Sequence, residues 1–356
     1  MHGGDGLSRR RRSFLELAFL DDRGSFASPV RSTFFAVSIA KYCLPLLSLL
    51  VVPLLPAQTV LLDDSFSTAA NTGDLAANGP QGTQNPSTSA EWFLNSTNAN
   101  ASAVYTDPVV APPGSLAQTF ATDQSVLAYF APSGSPQALT NVGDTLIASF
   151  TFTVSGASNS ADGIRVALLN SSASQITTNT DITAGNFLQY TGFAAFFNPS
   201  NTATTLNRRN QDQDSILIAS TSIAYSSLGA PVTTGSAFAL GSSTYTGALS
   251  LTYEGSGQTL VTFSLSDTMS ASQAGYTILS ASSPTTSFDT FVLGGLSGAA
   301  TSLTLSNVDV VFVPVPEPPV YILCAGGLAV LAGAHRWRRL RRESLVPPAL
   351  SRSRET

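Results

Sequence analysis

Thr145-Leu-Ile-Ala-Ser-Phe-Thr-Phe-Thr-Val154 is the stretch of this chain that decides its fold. Apolar and hydroxyl-bearing side chains alternate along it, and successive side chains of a β-strand point to opposite faces of a sheet. The pattern therefore predicts a strand with one face in a core and the other toward solvent. The side chains predicted to share the core face are Leu146, Ala148, Phe150, Phe152 and Val154.

Similar segments recur along the chain, separated by residues that favour turns. They are Ser125–Phe130, Ile164–Leu169, Ser215–Ala219, Ala248–Tyr253, Thr259–Leu265, Phe288–Leu293 and Ser302–Phe312. Near Asn307 the apolar positions of the last segment change from odd to even numbers, which predicts a β-bulge. The least periodic stretches, Asn71–Ala90 and Asn198–Asp214, are predicted surface loops. Short strands without helical periodicity predict one all-β, antiparallel β-sandwich over residues 58–313, with a jelly-roll topology.

The composition indicates an exported protein. Charged residues make up 11% of the 356 residues, well below the usual quarter, and Ser, Thr, Asn and Gly are abundant. Between Gln58 and Pro314 there are 15 acidic residues but only three cations, Arg165, Arg208 and Arg209, which is a balance of −12. Because such a surface repels a phosphate backbone, nucleic-acid binding is not expected.

The reactive side chains that many enzymes use lie outside the predicted sandwich. Both cysteines, Cys43 and Cys324, and both histidines, His2 and His335, fall in the terminal segments. The sandwich therefore has no disulfide and no thiolate. It also lacks the imidazole of a Ser-His-Asp triad and the His or Cys ligands of a zinc site.

Residues 1–57 have the features of a leader and signal peptide. Lys41 precedes an apolar run from Leu44 to Leu55, and Pro56-Ala57-Gln58 supplies a small residue for cleavage. An uncleaved first membrane helix is the alternative, although prolines interrupt the apolar run.

The C-terminal segment combines three features in a fixed order. Residues 314–319 contain Val315-Pro316-Glu317-Pro318, whose prolines end the preceding strand. The apolar run within residues 320–335 would span roughly 22 Å as a helix, which predicts a marginal transmembrane helix. The basic tail, residues 336–356, is expected to stay in the cytoplasm, so that the sandwich is exported. Its membrane stop signal consists of Arg336, Arg338, Arg339, Arg341 and Arg342.

These C-terminal features together resemble the PEP-CTERM sorting signal: Val315-Pro316-Glu317-Pro318, an apolar helix with Gly326-Gly327-Leu328, and the arginine cluster. The resemblance implies that an exosortase-type membrane transpeptidase recognises the Pro-Glu-Pro element and removes the tail. It also implies an inner-membrane-anchored precursor in a Gram-negative bacterium that reaches the cell surface or the polysaccharide-containing extracellular matrix. The chain departs from the family in continuing from Glu343 to Thr356. An ordinary C-terminal membrane anchor is the alternative.

Five segments of the predicted sandwich carry a second resemblance. They are Asp63-Asp64-Ser65-Phe66, Asp144-Thr145-Leu146-Ile147, Arg165-Val166-Ala167-Leu168-Leu169-Asn170, Phe288-Asp289-Thr290-Phe291 and Leu305-Ser306-Asn307-Val308-Asp309-Val310. Together they look like a concanavalin A-like lectin/glucanase sandwich, which implies that fold. The Glu-x-Asp-x-x-Glu motif of the glucanase branch is absent, and Glu91 and Glu254 are the only glutamates of the body. Because hydrolysis needs two carboxylates about 5 to 10 Å apart, a glycoside hydrolase is the weaker alternative.

Two candidate ligand sites follow from the residue types. Trp92 and Tyr105 are candidate carbohydrate contacts, because sugars pack on aromatic faces; the alternative, which is favoured, places Trp92 in the core. Asp63, Asp64 and Asp309 are candidate calcium ligands, because first and last strands often pair in jelly rolls; the alternative is that they form turns. No catalytic residue and no other cofactor is assigned.

The sequence as a whole predicts an exported cell-surface or extracellular-matrix protein with a structural or adhesive role. It predicts no enzymatic activity. A lectin-like polysaccharide-binding module is the alternative from a binding class.

Overall fold

The computed structural model describes part of the chain, all of it within the unit Leu55–Thr356. The described residues are 57–66, 73–74, 81–82, 90–95, 103–106, 114–119, 124–157, 163–179, 185, 187–212, 217–218, 224–280, 285–295, 302–315, 328 and 330–338. The predicted leader and signal peptide therefore lies outside the described residues, apart from Ala57.

Twenty β-strands form the described part of the body. They are β1 (Thr59–Asp64), β2 (Gly73–Asp74), β3 (Gln81–Gly82), β4 (Glu91–Asn95), β5 (Ala103–Thr106), β6 (Ser115–Thr119), β7 (Gln124–Tyr129), β8 (Gln137–Ala138), β9 (Thr145–Ser155), β10 (Ile164–Asn170), β11 (Thr191–Phe197), β12 (Thr204–Arg209), β13 (Tyr225–Ser227), β14 (Val232–Gly235), β15 (Thr244–Gly255), β16 (Gln258–Asp267), β17 (Gln273–Ser280), β18 (Ser287–Phe288), β19 (Thr290–Gly295) and β20 (Ser302–Val313). Near the C-terminus, Leu328 and residues 330–338 are helical. Within the described residues, no helix is both long enough and apolar enough to cross a bilayer.

The strands are arranged in two large antiparallel sheets and a two-stranded one. The ten-stranded sheet has the order β14-β17-β16-β15-β9-β20-β6-β5-β2, and β1 also pairs with β20. The eight-stranded sheet has the order β13-β12-β11-β10-β19-β7-β4-β3, and β18 pairs with β8. The pairing of β1 with β20 confirms that the first and last strands meet. The register of β20 shifts between Leu305 and Asn307, which confirms the predicted bulge.

Strand β9 alternates between buried and solvent-facing side chains, as its sequence predicts. Its neighbours are β15 and β20, and Phe152 lies opposite Tyr245 of β15 and Leu305 of β20. Every second side chain from Leu146 to Val154 is buried. The hydroxyl-bearing residues between them lie on the opposite face of the sheet, where they remain partly or fully exposed.

The main core lies between the two large sheets. The rings of Phe152 and Phe197 have their centroids 6.4 Å apart, and those of Phe150 and Phe291 are 6.1 Å apart. The ring of Phe197 also stacks on that of Phe263, at 5.2 Å. Because each of these pairs joins the ten-stranded sheet to the eight-stranded sheet, the sheets pack face to face. This confirms the predicted all-β, antiparallel β-sandwich.

The outer face of the eight-stranded sheet is covered as well. Strands β10 and β11 are buried on both faces along almost their whole length. Connections before β11 and before β13 contribute large apolar side chains that pack on this outer face. The resulting second core contains Phe93, Leu127, Ala167, Leu169, Phe187, Tyr190, Ala194, Phe196, Leu217, Ile218, Ala224, Tyr225 and Val292.

Arg209 ties the two covering connections to the sheet. Its guanidinium donates to the carbonyl oxygen of Phe187 at 2.9 Å and to that of Leu217 at 3.0 Å. The side chain is buried and lies over the ring of Tyr225, 5.4 Å from its centroid. A buried cation is tolerated here because main-chain oxygens and an aromatic face replace the water that it loses.

Four local predictions need correction. The predicted loop Asn71–Ala90 contains the short strands β2 and β3, which pair with β5 and β4. Leu217 and Ile218, within the predicted strand Ser215–Ala219, lie in a turn, because their side chains cover the second core instead of joining a sheet. The predicted loop Asn198–Asp214 contains β12, which pairs with β11 although most of its side chains are polar. The predicted strand Phe288–Leu293 is interrupted at Asp289, whose carboxylate accepts hydrogen bonds from a neighbouring loop.

Candidate functional site

Trp92 is a core residue and presents no face to solvent. Its side chain is completely buried, and its indole Nε1 donates to Oδ2 of Asp64 at 2.7 Å. The backbone N–H of Phe66 donates to the other carboxylate oxygen, also at 2.7 Å. Burial raises the pKa of the Asp64 carboxyl, and these hydrogen bonds partly oppose the rise. The core alternative for Trp92 therefore holds, and the carbohydrate contact does not, because a sugar cannot stack on an enclosed ring.

Tyr105, the other candidate sugar contact, lies on a different sheet from Trp92. Its strand β5 belongs to the ten-stranded sheet, whereas β4, which carries Trp92, belongs to the eight-stranded sheet. The side chain of Tyr105 lies outside what the structure describes. The two residues thus do not form a platform on one sheet face.

Two of the three candidate calcium ligands are brought together. Asp63 and Asp309 are directly opposite each other in the β1–β20 pair. Burial and a hydrogen bond with the Asp63 side chain raise the pKa of the Asp309 carboxyl, and Asn307 donates its amide Nδ2 to Asp309. Asp64 is turned into the core beneath Trp92. Among the described residues, no group of three or more acidic, histidine or cysteine side chains could hold a metal ion.

The predicted sorting motif is described only at its first residue. The backbone N–H of Val315 donates to Oδ1 of Asp144 at 3.0 Å, so the chain leaves the sandwich from a fixed position. Pro316, Glu317 and Pro318 lie outside the described residues. Of the predicted stop signal, Arg336 and Arg338 are exposed on the C-terminal helix, whereas Arg339, Arg341 and Arg342 also lie outside the described residues.

A pocket of about 320 Å³ opens beside the second core. Strand β1, strands β4 and β7 of the eight-stranded sheet, and the loop 171–179 after β10 enclose it. Its lining combines apolar, amide, hydroxyl and carboxylate groups. The residues that line it are Leu61, Glu91, Phe93, Tyr129, Phe130, Ala131, Pro132, Gln175, Ile176 and Thr177.

Asp289 holds the loop that forms one wall of this pocket. Its buried carboxylate accepts from the backbone N–H of Ser171 at 2.8 Å and from the Ser171 hydroxyl. The amide Nε2 of Gln175 donates to the same carboxylate at 3.3 Å and to the carbonyl oxygen of Ala131 at 2.9 Å. Gln175 is therefore fixed between the sheet and the loop, with its side chain in the pocket wall.

A pair of tyrosines holds the next part of the same loop. The hydroxyl of Tyr129 accepts from the backbone N–H of Ile176 at 2.9 Å and shares a hydrogen bond of 2.8 Å with the hydroxyl of Tyr190. Tyr190 in turn donates to the carbonyl oxygen of Ser174 at 3.0 Å. Burial raises the pKa of Tyr129 to about 12, so its hydroxyl stays neutral at physiological pH.

The loop also contains two successive non-glycine residues in the left-handed region. Ser172 has φ 52° and Ala173 has φ 65°. Such conformations cost about 1–3 kcal/mol each and persist only where the surroundings fix them. Asp289 and the tyrosine pair supply that fixation, so the pocket wall is formed before any ligand arrives.

Among the described residues of the lining, Glu91 is the single acidic residue, and no basic residue accompanies it. The side chain is half-buried, and burial raises the pKa of its carboxyl. The other glutamate of the body, Glu254, is exposed at the turn between β15 and β16 in the opposite sheet. The described part of the pocket therefore offers one carboxylate, whereas glycoside hydrolysis uses two.

From the sequence, Glu91 was a candidate only as one member of a catalytic pair. Gln175 and Thr177 were not predicted as site residues. Their role depends on where the loop 171–179 packs, and that loop has no periodic pattern of its own. Two segments of the sequence could have predicted the position of this loop. Ile164–Asn170 and Thr191–Phe197 are almost continuously apolar, which indicates strands of a sheet that is covered on both faces. The connection between two such strands is then the expected cover.

No protein-family model matches this sequence, and no curated protein matches it. Solved structures of low similarity include arcelin-5, a lectin-like defence protein from Phaseolus vulgaris, with 12% identity and a TM-score of 0.38, over 72% of this chain and 98% of that chain. The exoplasmic/lumenal domain of VIP36 in its Ca2+/Man-bound form has 12% identity and a TM-score of 0.36, over 64% and 85%. A carbohydrate esterase, vb_24B_21 from the Shiga toxin-encoding bacteriophage phi24B, has 18% identity and a TM-score of 0.35, over 72% and 100%. These values are too low to assign a function.

Proposed function

We propose that the sandwich is a lectin-like polysaccharide-binding module that works outside the inner membrane. The pocket beside the second core is the observation that carries this proposal. At about 320 Å³ it falls within the usual range for small-molecule sites. Its wall is held in place by Asp289 and the two tyrosines, so little ordering would be needed on binding.

The chemistry of the lining suits a saccharide unit. Ile176 and Pro132 supply apolar surface for the carbon-bound hydrogens of a sugar ring. The amide oxygen of Gln175 supplies an acceptor, the hydroxyl of Thr177 supplies a donor and an acceptor, and Glu91 supplies an acceptor for ring hydroxyls. Binding is favoured over hydrolysis because the described lining has only one carboxylate.

Delivery by the C-terminal segment is the second part of the proposal. Residues 314–356 would act as the PEP-CTERM signal, read by an exosortase-type transpeptidase after residues 1–57 have directed export. The low charge of the body is typical of exported proteins. Attachment to extracellular polysaccharide through the pocket would then give the structural or adhesive role.

Glycan binding tests the first part of the proposal. The full-length chain is purified, presented to an array of oligosaccharides, and the affinity of the best ligand is measured by calorimetry. We expect Gln175→Ala to lower that affinity by at least about tenfold, because it removes the amide oxygen that accepts from the sugar and also the two donors that fix the pocket wall. Gln273→Ala, at an exposed position of β17 in the other sheet, is the matched control and should change nothing. Absence of binding to every glycan would overturn the proposal.

Grafting tests the second part. Residues 314–356 are fused to an unrelated exported protein in a bacterium with an exosortase-type enzyme. We expect mass spectrometry to find the passenger outside the inner membrane without the residues that follow Pro319. A passenger that stays uncut in the inner membrane would contradict the sorting proposal and leave the binding proposal untouched.

A further inference from the structure

The sandwich has very few cations on its surface. Of its three cations, Arg165 and Arg209 are only 3% and 1% exposed. The guanidinium of Arg165 lies 4.1 Å above the centroid of Phe196, within the covered face of the eight-stranded sheet. Arg208 is thus the cation of the body that reaches solvent. Of the 15 acidic residues between Gln58 and Pro314, Asp64, Asp144 and Asp289 are also buried, and the body keeps its excess of acidic residues. Such a surface repels anionic polysaccharides and attracts cationic ones.

Glu91 gives the pocket itself the same preference for cationic ligands. Its carboxylate lines the pocket together with neutral groups, so no positive charge in the lining compensates it. The other titratable group in the described lining is Tyr129 on β7, which stays neutral. Burial disfavours the ionised form of Glu91 and raises its pKa, and a ligand ammonium would relieve that penalty.

Resting on the proposed function, we infer that the pocket selects a saccharide with a free amino group, as found in polysaccharides of unacetylated amino sugars. The ammonium would lie against the Glu91 carboxylate, while the ring would pack on Ile176 and donate a hydroxyl hydrogen to the amide oxygen of Gln175. An N-acetylated sugar brings an amide in place of the cation, and a plain hexose brings a hydroxyl. Both leave Glu91 without a counter-charge, which is the basis of discrimination.

Three hexasaccharides of the same linkage distinguish these cases: a β-1,4-glucosamine hexamer, its fully N-acetylated form, and a β-1,4-glucose hexamer. Calorimetry with the full-length chain should give the glucosamine hexamer an affinity about tenfold higher than the other two, as expected for a charge-assisted hydrogen bond at a half-exposed site. The preference should decline as the pH falls through the pKa of Glu91, because the protonated carboxyl no longer pairs with an ammonium.

Glu91→Gln and Glu254→Gln are a matched pair of variants, because these are the only two glutamates of the body. Each removes one negative charge with almost no change of shape. We expect Glu91→Gln to abolish the preference for the glucosamine hexamer, so that the three hexamers bind with similar affinity, and an unchanged unfolding temperature would show that the variant is folded. Glu254→Gln should keep the preference, since its side chain is exposed at the β15–β16 turn. Glu91→Asp retains the charge and should retain part of the preference.

Equal affinity for the three hexamers would overturn the inference but not the proposed function. The same holds if Glu254→Gln reduces the preference as much as Glu91→Gln, because the attraction would then be a property of the whole surface. Failure of all three hexamers and of every array glycan to bind would overturn the proposed function itself.

Discussion

The two large sheets differ in what covers their outer faces. In the ten-stranded sheet, β9 and β16 alternate between buried and solvent-facing residues. In the eight-stranded sheet, β10 and β11 are buried on both faces, and a second core lies outside them. An alternating strand needs one partner layer, whereas a continuously apolar strand needs two. The outer face of the eight-stranded sheet must therefore be covered by loops, whereas that of the ten-stranded sheet need not be.

The candidate pocket follows from that difference. The loop 171–179 lies in the chain between the two doubly buried strands, β10 and β11, and its fixed conformation supplies one wall of the pocket. Strand β9 and its neighbours have no corresponding cover among the described residues, and their outer face carries small hydroxyl side chains. We therefore place binding on the covered sheet and expect the hydroxyl face to serve solubility.

The largest predicted effect is common to both sheets. Phe152→Ala removes a buried ring from the inner face of the ten-stranded sheet, and Phe197→Ala removes its partner from the eight-stranded sheet. Each substitution should lower the free energy of unfolding by about 3–5 kcal/mol, since transfer and cavity terms add. Urea denaturation followed by tyrosine and tryptophan fluorescence measures the loss. A loss below about 1 kcal/mol at either position would contradict the face-to-face packing of the sheets.

The next effect separates the two outer faces. Phe196→Ala removes a ring that packs at 4.9 Å on Tyr225 and lies beneath Arg165, and it should cost about 3 kcal/mol. Thr151→Ala changes an outward residue of β9 and should stay within about 0.5 kcal/mol. The same denaturation experiment compares them. Similar losses at both positions would mean that the outer faces are equally covered.

Much of the two-layer architecture was predictable from side-chain alternation alone. Thr145–Val154 gave both a strand and its buried face, and the odd-to-even change near Asn307 located the bulge. Strand β12 was not predicted, because its side chains are mostly polar. Asn207 and Arg209 face the second core, and no local sequence pattern indicates that core. The prediction of a strand at Ser215–Ala219 was wrong, because its apolar residues Leu217 and Ile218 lie in a turn and cover the second core.

The candidate site was less predictable than the fold. Pairing of the first and last strands correctly brought Asp63 to Asp309, but the same alternation turns Asp64 into the core. Trp92 was the favoured core residue, and it is buried. Gln175 and Asp289 are 114 residues apart in the chain and meet only in the folded protein. A contact at that separation cannot be read from spacing.

A third prediction concerns the cover itself. Asp289→Ala leaves the donors of Ser171 and Gln175 without their acceptor, and should lower the free energy of unfolding by about 1–3 kcal/mol. Hydrogen exchange should rise mainly in residues 171–178, which the carboxylate holds in place. Asp289→Asn keeps one acceptor oxygen, so its free energy of unfolding should lie between those of Asp289→Ala and the wild type. Exchange in this loop that is unchanged in both variants would show that the tyrosine pair alone fixes the cover.

The smallest effect concerns the carboxyl pair Asp63 and Asp309 in the ten-stranded sheet, and its size depends on pH. Burial and the hydrogen bond with Asp63 raise the pKa of Asp309 in the folded protein. Its contribution to stability is therefore complete below the unfolded pKa of 3.8 and is lost as the pH rises through the folded pKa. Asp309→Asn should raise the free energy of unfolding near pH 7 by less than about 1 kcal/mol, because solvent screens a partly exposed pair. The gain should vanish near pH 3, as thermal unfolding across the pH range would measure.

The pH dependence of stability that Asp144 contributes has the opposite sign to that of Asp309. Burial alone would raise the pKa of its carboxyl, but hydrogen bonds from the backbone N–H groups of Asn141, Val315 and Thr140 outweigh burial and lower the pKa. Its contribution is thus present above pH 3.8 and lost as the pH falls through the folded pKa. Asp144→Asn should therefore destabilise the protein near pH 7 and lose its effect in acid, the reverse of Asp309→Asn. If Asp144→Asn does not destabilise the protein near pH 7, the carboxylate of Asp144 does not hold the chain at Val315.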